Sequence, residues 1–355
     1  MSNFQDKINK EEKGIWRYAD FYTEIIKPEN RLYLEDGNSQ EFENEDISKI
    51  CQIRHLYFKR EDENETGSLK GRSLAYQVSL AKQNGKKELV ISTSGNAGIA
   101  AAAYCQQAGI KLYIFISPET EKSKIAEMQK YHPIIIKSKK AIRLANYLST
   151  RYKIENLRPS ASDSSIEGFK SLVFEIFEKL GEVDALFTYV TSGSSFVGIG
   201  RAYQYLLESG EIKKIPKLYA VQSGEILSIA REFEKIVEQK ISTAGKLGVK
   251  NTRRKNEILE LIKSSEGSGI YINDQELQSA RELLEKNDIY TSPEGCASFA
   301  AMTRDGKNCN FDNVVCILSG KARKDNNQDD EERIKIAESF DNVDNILSGK
   351  FSCCD

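Results

Sequence analysis

The chain has 355 residues, more than one core of the usual ~100–200 residues takes up, so two domains are expected. Charge is nearly balanced, 51 basic residues against 53 acidic for a net −2, which removes the global electrostatic case for nucleic acid or an anionic membrane as principal partner and favours small molecules. The only histidines are His55 and His132, too few for a His-rich metal site; no metal is expected, and acid–base chemistry must lean on Lys, Tyr, Ser, Asp or Glu.

Met1 to Lys13 is polar and charged with no apolar stretch, so no signal peptide is expected. No apolar run approaches the ~20 residues of a membrane span. Cys51, Cys105, Cys296, Cys309, Cys316, Cys353 and Cys354 form no CxxC spacing, and their odd number argues against a complete disulfide framework, so reduced thiols in a cytoplasm are expected. Cys296 and Cys316 lie in apolar contexts and read as small core residues, Cys353 and Cys354 as part of a tail.

From Lys86 to Leu148 strands and helices alternate. Glu88 to Ser92 reads as a buried strand, Ser94-Gly95-Asn96 as a tight loop, and Gly98 to Gln107 as an Ala-rich helix closed by Gly109. Lys111 to Ser117 is a strand stopped by Pro118, Thr120 to Tyr131 an amphipathic helix, and Ile134 to Lys137 a strand after Pro133. The pattern resumes with a helix over Glu167 to Leu180, a strand over Ala185 to Val190, and a helix over Gly198 to Glu208. Lys217 to Gln222 and Asn313 to Ser319 are further strands, with helices over Gln275 to Lys286 and Glu294 to Met302. Arg253-Arg254-Lys255, within Leu247 to Gly267, reads as a solvated helix face, and the acidic tract Asp325 to Glu332 as a surface loop. Such alternation implies right-handed crossovers and parallel sheets.

Three small-residue or hydroxyl-rich loops each follow an apolar strand: Ser92 to Gly98, Thr191 to Gly198, and Ser319-Gly320. In an open parallel sheet ligands bind beyond the carboxyl ends of strands, so these loops can converge on one pocket. Ser192-Gly193-Ser194-Ser195 offers backbone N–H groups and hydroxyls at the start of a helix, where a phosphate is favoured, although an ordinary strand-to-helix turn reads the same. It is neither a Walker A motif nor a GxGxxG fingerprint. Lys70 sits at the start of a helix; a lysine there is ordinarily solvated, and becomes chemical when desolvated beside a carbonyl cofactor.

Glu61-Asp62-Glu63-Asn64-Glu65-Thr66-Gly67-Ser68-Leu69-Lys70-Gly71-Arg72 resembles the lysine motif of the fold-type II pyridoxal-phosphate enzymes, the tryptophan synthase β-subunit family, and within it the threonine synthases. The order of the other motifs agrees. Ser92 to Gly98 is similar to the family's asparagine loop, Thr191 to Gly198 to its phosphate loop, and Ser319-Gly320 to its cofactor-nitrogen strand, a match over roughly Lys59 to Arg323. Arg158-Pro159, Glu167-Gly168-Phe169-Lys170 and Pro293-Glu294-Gly295-Cys296-Ala297 resemble the threonine synthase branch, whereas the loop wording and Ser319 look like cysteine synthases.

The resemblance implies an α/β chain of two open parallel-sheet domains with helices on both faces: a large cofactor domain of residues 1–79 and 158–355, and a smaller one of 80–157 bearing the asparagine loop. It implies pyridoxal 5'-phosphate as cofactor, with Lys70 as its Schiff-base lysine and later proton carrier. Asn96 would bond the ring oxygen, Ser192, Gly193, Ser194 and Ser195 would cradle the phosphate, and Ser319 would face the pyridine nitrogen. Thr93, Ser94, Gly95 and Ala97 would hold the substrate carboxylate. Arg72, Arg158 and Lys170 could bind a phosphorylated substrate or equally be surface ion-pair residues. A serine at the nitrogen does not enforce its protonation, which suits elimination and replacement. The implied reaction converts O-phosphohomoserine and water to threonine and phosphate; the alternative is β-replacement or β-elimination on an activated serine. A homodimer is implied as well. Gly71 stands where the family usually has aspartate, and Thr191 and Ser194 where glycines are common; Ser194 requires a negative φ or compensated strain. These departures motivate a reading from another class, a catalytically silent scaffold, against which the joint retention of Lys70, Asn96 and Ser319 argues.

Overall fold

Alternating apolar strands and helices lay down two sheets, and the chain divides into two compact units around them. The computed structural model describes residues 4–93, 95–159, 162–224, 227–235, 253–306, 309–323 and 331–349. Ser94, residues 247–252 and 325–330, Cys353 and Cys354 lie outside the described residues.

The first unit comprises Met1–Tyr22, Glu35–Leu69 and Phe169–Ala322. Its strands are β1 (Glu41–Glu43), β2 (His55–Lys59), β7 (Ala185–Tyr189), β8 (Lys217–Ser223), β9 (Ser268–Ile272) and β10 (Asn313–Ile317), in the order β1-β2-β10-β7-β8-β9. All pairs are parallel except β1 with β2. Helices α1 (Glu45–Cys51), α9 (Asp274–Glu285) and α10 (Pro293–Asp305) bury one face through Ile47, Leu277, Leu284 and Phe299. At the other end of the sheet α8 (Lys255–Ser264), whose Ile258, Leu261 and Ile262 are buried, packs against β8 and β9, and α7 (Ser194–Glu208) packs on α8. Arg254 departs from the solvated reading: it is buried, its guanidinium 3.9 Å from Glu257.

β2 escaped the sequence reading because its pattern is inverted at Lys59, a charged residue that is fully buried. The ammonium is met by Glu41, by Glu175 at 2.7 Å and by the Ser39 carbonyl at 2.7 Å. A buried cation persists only when its lost hydration is replaced in this way.

The second unit comprises Thr23–Leu34, Lys70–Gly168 and Arg323–Asp355. Its sheet is wholly parallel, with β3 (Glu88–Ser92), β4 (Lys111–Ile116), β5 (Ile134–Lys137), β6 (Glu155–Asn156) and β11 (Ile334–Ile336) in the order β11-β5-β4-β3-β6. α5 (Ala141–Tyr152) and α11 (Phe340–Leu347) cover one face, packing Leu144, Leu148, Val343 and Ile346 on Val90, Phe115 and Ile136. Three further helices, α2 (Lys70–Gln83), α3 (Asn96–Ala108) and α4 (Lys122–Gln129), pack on one another in sequence. Small residues of α3 permit close approach: a Cβ on Gly98 would lie 2.7 Å from both Met128 and Thr93. α3 ends at Gly109 in the left-handed region at φ +66°, as its sequence predicts. The helix α6 (Ser164–Leu180) runs from this unit into the first.

The tail differs from its expected placement in the larger domain. β11 pairs with β5, Ile334 opposite Ile135, so this stretch belongs with the five-stranded sheet. Parallel pairing with a strand from the first half of the chain leaves no local signal to read. No helix of the described residues is long and apolar enough to cross a membrane.

Candidate functional site

β7 and β10 lie side by side in parallel, Phe187 opposite Cys316. The chain leaves β7 toward β8 on one side, whereas β10 has β2 on its other side, so the two carboxyl ends open at a switch point of the strand order. Thr191 to Ser195 follows β7, and Ser319 follows β10, which stops at Ile317, two residues short of the predicted end. The sheet therefore brings the phosphate-loop candidates and Ser319 to one edge.

α7 starts four residues earlier than its sequence pattern suggests, so Ser194 and Ser195 form its first turn, both buried. Gly193 is the cap, left-handed at φ +85°, ψ −8°, and supplies no side-chain acceptor. Ser194 is absent from the positive-φ residues, which meets the condition its sequence position imposed. The first N–H groups of a helix have no intrahelical acceptor and sit at the positive dipole end. The glycine cap brings no side chain of its own to those of α7. Thr191 and Ser192 are half-buried beside them.

Ser319 is 7% exposed and its hydroxyl has no partner among the described residues. Its carbonyl accepts from the Leu69 N–H at 3.1 Å, and Ser68 bridges to Gly320 in antiparallel fashion. Lys70, half-buried, is the next residue and opens α2. The Gly320 carbonyl in turn accepts from Ser292 N–H (2.7 Å) and Thr291 Oγ1 (3.0 Å). Ser292 caps α10, whose first turn is the Pro293-Glu294-Gly295 segment. None of these ties was legible in the sequence, because each joins segments far apart in it.

In the second unit, Thr93 ends the β3 extension, its N–H on the Phe115 carbonyl (3.0 Å), and its Oγ1 accepts from the Gly95 N–H (3.2 Å). Gly95 caps α3; Asn96 and Ala97 are its first residues. The Asn96 Oδ1 is buried without a hydrogen-bond partner. Arg158 follows β6, which pairs Asn156 with Val90, so Arg158 reaches the strand edge alongside Ser92. Its guanidinium is half-buried with no partner among the described residues, and burial pulls its pKa below the usual arginine range. Arg72, by contrast, is fully buried in α2, and Lys170 is half-buried in α6.

Gly168, in the Glu-Gly pair of the sequence motif, explains itself here. A Cβ on it would lie 2.0 Å from the Arg72 carbonyl oxygen and 3.0 Å from Ser73 Cα. Ser73 Oγ donates to the Ser165 carbonyl at 2.7 Å. The start of α6 is therefore pressed backbone to backbone on the first turn of α2.

The thiols stand apart from this chemistry. Cys296 and Cys316 are buried as expected, and burial raises both, Cys296 to about 11.

The residues present fit a phosphorylated pyridine aldehyde on observations of the fold alone. In the second unit a buried carboxamide on α3 has an unmet hydrogen bond; in the first, α7 opens on a glycine cap without a side-chain acceptor and a shielded serine hydroxyl has no partner among the described residues.

The family model described as "Pyridoxal-phosphate dependent enzyme" matches residues 34–320. A threonine synthase of Methanocaldococcus jannaschii is 27% identical over 356 residues, covering 94% of this chain and 86% of that protein. The threonine synthase of Halalkalibacterium halodurans is 27% identical over 308 residues, covering 83% and 85%. Among solved structures, maize serine racemase superposes with a TM-score of 0.70 at 18% identity, covering 81% of this chain and 88% of that one. Threonine deaminase isoform 2 from Solanum lycopersicum gives 0.67 at 18%, covering 81% and 80%; both likenesses speak to the fold.

Proposed function

The chain belongs to the pyridoxal-phosphate dependent enzymes, and on that premise we propose that it is a threonine synthase-like lyase, converting O-phosphohomoserine and water to threonine and phosphate. The observation that carries this reading is that curated relatives matching 76–94% of its length are threonine synthases. Lys70 would hold the cofactor aldehyde, Asn96 its ring oxygen, Ser319 its pyridine nitrogen, and the Ser192–Ser195 turn its phosphate. Thr93, Ser94, Gly95 and Ala97 would orient the substrate carboxylate. When bound, the cofactor withdraws electrons from the substrate's α-carbon, and the protein supplies orientation.

The Lys70 amine takes a proton from Cα and later returns protons to the product carbons, a role that histidine would otherwise fill. A proton is also taken from Cβ, the Cγ–O bond breaks and phosphate leaves with its electron pair; the two abstracted protons return to Cγ and Cα, and the water oxygen bonds Cβ as hydroxyl, its released proton going to the phosphate. Arg158 is suited to the substrate phosphate, being a half-buried guanidinium beside the asparagine loop with no partner among the described residues. Gly71 sits in the first turn of α2. It removes no group from these roles.

A second reading is β-elimination or β-replacement on an activated serine, favoured by Ser319 and the Thr93–Gly98 loop wording. Purified protein given O-phosphohomoserine should release phosphate and form threonine. Sulfide-dependent cysteine from O-acetylserine or O-phosphoserine, without phosphate release from O-phosphohomoserine, selects the second reading. The holoenzyme should be yellow, and Lys70→Ala should lose the borohydride-sensitive band; colourless protein that ignores added cofactor refutes both. A cytoplasmic homodimer completes the proposal, which light scattering on the eluting holoenzyme tests.

A further inference from the structure

The ten residues that lead into Lys70 are held by a bracket of buried side chains that the chemistry above does not use. Asn64, 5% exposed, is its centre. Its Nδ2 donates to Glu61 Oε2 (2.8 Å) and to the Ser68 carbonyl (3.3 Å), and its Oδ1 accepts from the Gly37 N–H (3.1 Å). Both amide hydrogens are thus committed. The Asn64 carbonyl accepts from the Gly67 N–H at 2.7 Å, closing a turn in which Gly67 takes φ +74°. Glu61, fully buried, accepts from Ser39 Oγ at 2.5 Å. Thr66 donates to Asp36 Oδ1 through its hydroxyl (2.8 Å) and its N–H (3.4 Å).

On the far side the same segment is zipped to the Ser319 strand. Lys321 N–H donates to the Gly67 carbonyl (2.9 Å), Ser68 bridges to Gly320, and Leu69 N–H donates to Ser319 (3.1 Å). Ser68 is therefore gripped by Asn64 on its carbonyl and by Gly320 along its strand, two residues before Lys70. Removing the amide would take one donor from the buried Glu61 carboxylate and one from the buried Ser68 carbonyl, and would release the Ser68 carbonyl from the grip of Asn64.

We infer that Asn64 is a positioning residue for Lys70, setting through the Ser68 carbonyl where the lysine's backbone starts. This rests on the reading of Lys70 as the cofactor lysine. A purely architectural Asn64 would lower stability alone; a positioning Asn64 also governs cofactor capture and turnover.

The full chain, stripped of cofactor, is titrated with pyridoxal phosphate while visible absorbance and borohydride trapping are followed. Wild type, Asn64→Ala, Lys70→Ala and Leu284→Ala are compared, the last being a core truncation in α9 with a comparable loss of Tm. Asn64→Ala is expected to weaken cofactor binding about tenfold and kcat about a hundredfold, with KM for the amino-acid substrate moving less than about threefold. Cofactor affinity and kcat equal to those of Leu284→Ala overturn the inference. If Asn64→Ala is insoluble, Thr66→Val, which keeps the shape and removes the hydroxyl bond to Asp36, takes its place. A weakening of about threefold then supports the bracket, and unchanged affinity overturns it. A trapped band that survives in Lys70→Ala overturns both this inference and the reading of Lys70, whereas its loss there leaves the Asn64 comparison as the sole test.

Discussion

Gly168→Ala tests how tightly α6 sets the start of α2. The added methyl would sit 2.0 Å from the Arg72 carbonyl oxygen and 2.6 Å from its carbon. Carbon contacts are comfortable at roughly 3.5–4.0 Å, so one backbone must retreat by over ~1 Å. Neither neighbour is a flexible side chain that could swing away. The retreat also strains the Ser73 to Ser165 bond of 2.7 Å. Overpacking of this kind costs about 1–3 kcal/mol, occasionally more. At roughly 2–4 °C per kcal/mol for a unit of this size, the melting temperature should fall by several degrees. Lys70 lies two residues before Arg72, and a ~1 Å displacement of a reacting group can cost about a hundredfold in rate. Gly168→Ala should therefore lose far more kcat than stability. Thermal melting, cofactor absorbance and kcat at saturating cofactor are measured on the same preparation. Wild-type melting together with wild-type kcat would falsify the backbone contact on which the reasoning stands.

The other predictions probe single interactions. Gly193→Ala forces a Cβ into φ +85° at the α7 cap, a cost of about 1–2 kcal/mol, and should weaken inorganic phosphate competition with the cofactor; unchanged competition and melting would refute it. Lys59→Met leaves Glu41 and Glu175 as buried carboxylates without their shared cation, so urea denaturation should show a loss of about 3–5 kcal/mol. Burial outweighs the Arg60 pair and pushes the Asp62 carboxyl from 3.8 up to about 6. Because the folded state holds that proton more tightly, this group's stabilising contribution is present at low pH and is lost as pH rises toward and through 6. Asp62→Asn should remove about 1 kcal/mol from the wild-type stability difference between pH 5 and pH 7.5, read from urea midpoints; an unchanged difference argues that the carboxyl titrates normally. Buried thiols raised in pKa react slowly, so peptide-mapped alkylation at Cys105 and Cys296 should appear only on denaturation.

Local order made much of the chain legible. Apolar runs bounded by proline and glycine marked β3, β4, β5, β7, β8 and β10, since a buried parallel strand needs both faces apolar and a stop. The ordered loops between them carried the family resemblance, which singled out Lys70, while the scarcity of histidine left acid–base chemistry to Lys, Tyr, Ser, Asp or Glu. Elements whose pattern depends on a distant partner were silent: β2, with a buried lysine satisfied by Glu41 and Glu175, and β11, which pairs with Ile134–Lys137 of β5, far earlier in the chain. The tertiary structure alone decided that Ser194 is helical and Gly193 left-handed, that Arg72 is buried while Arg158 is half-exposed, and that Gly168 touches the turn after Lys70. The physical reason is common to these cases. Residue type and spacing determine what a segment can bury or bond locally, whereas the identity of a buried group's partner is a property of contacts between remote segments and exists only once they have packed.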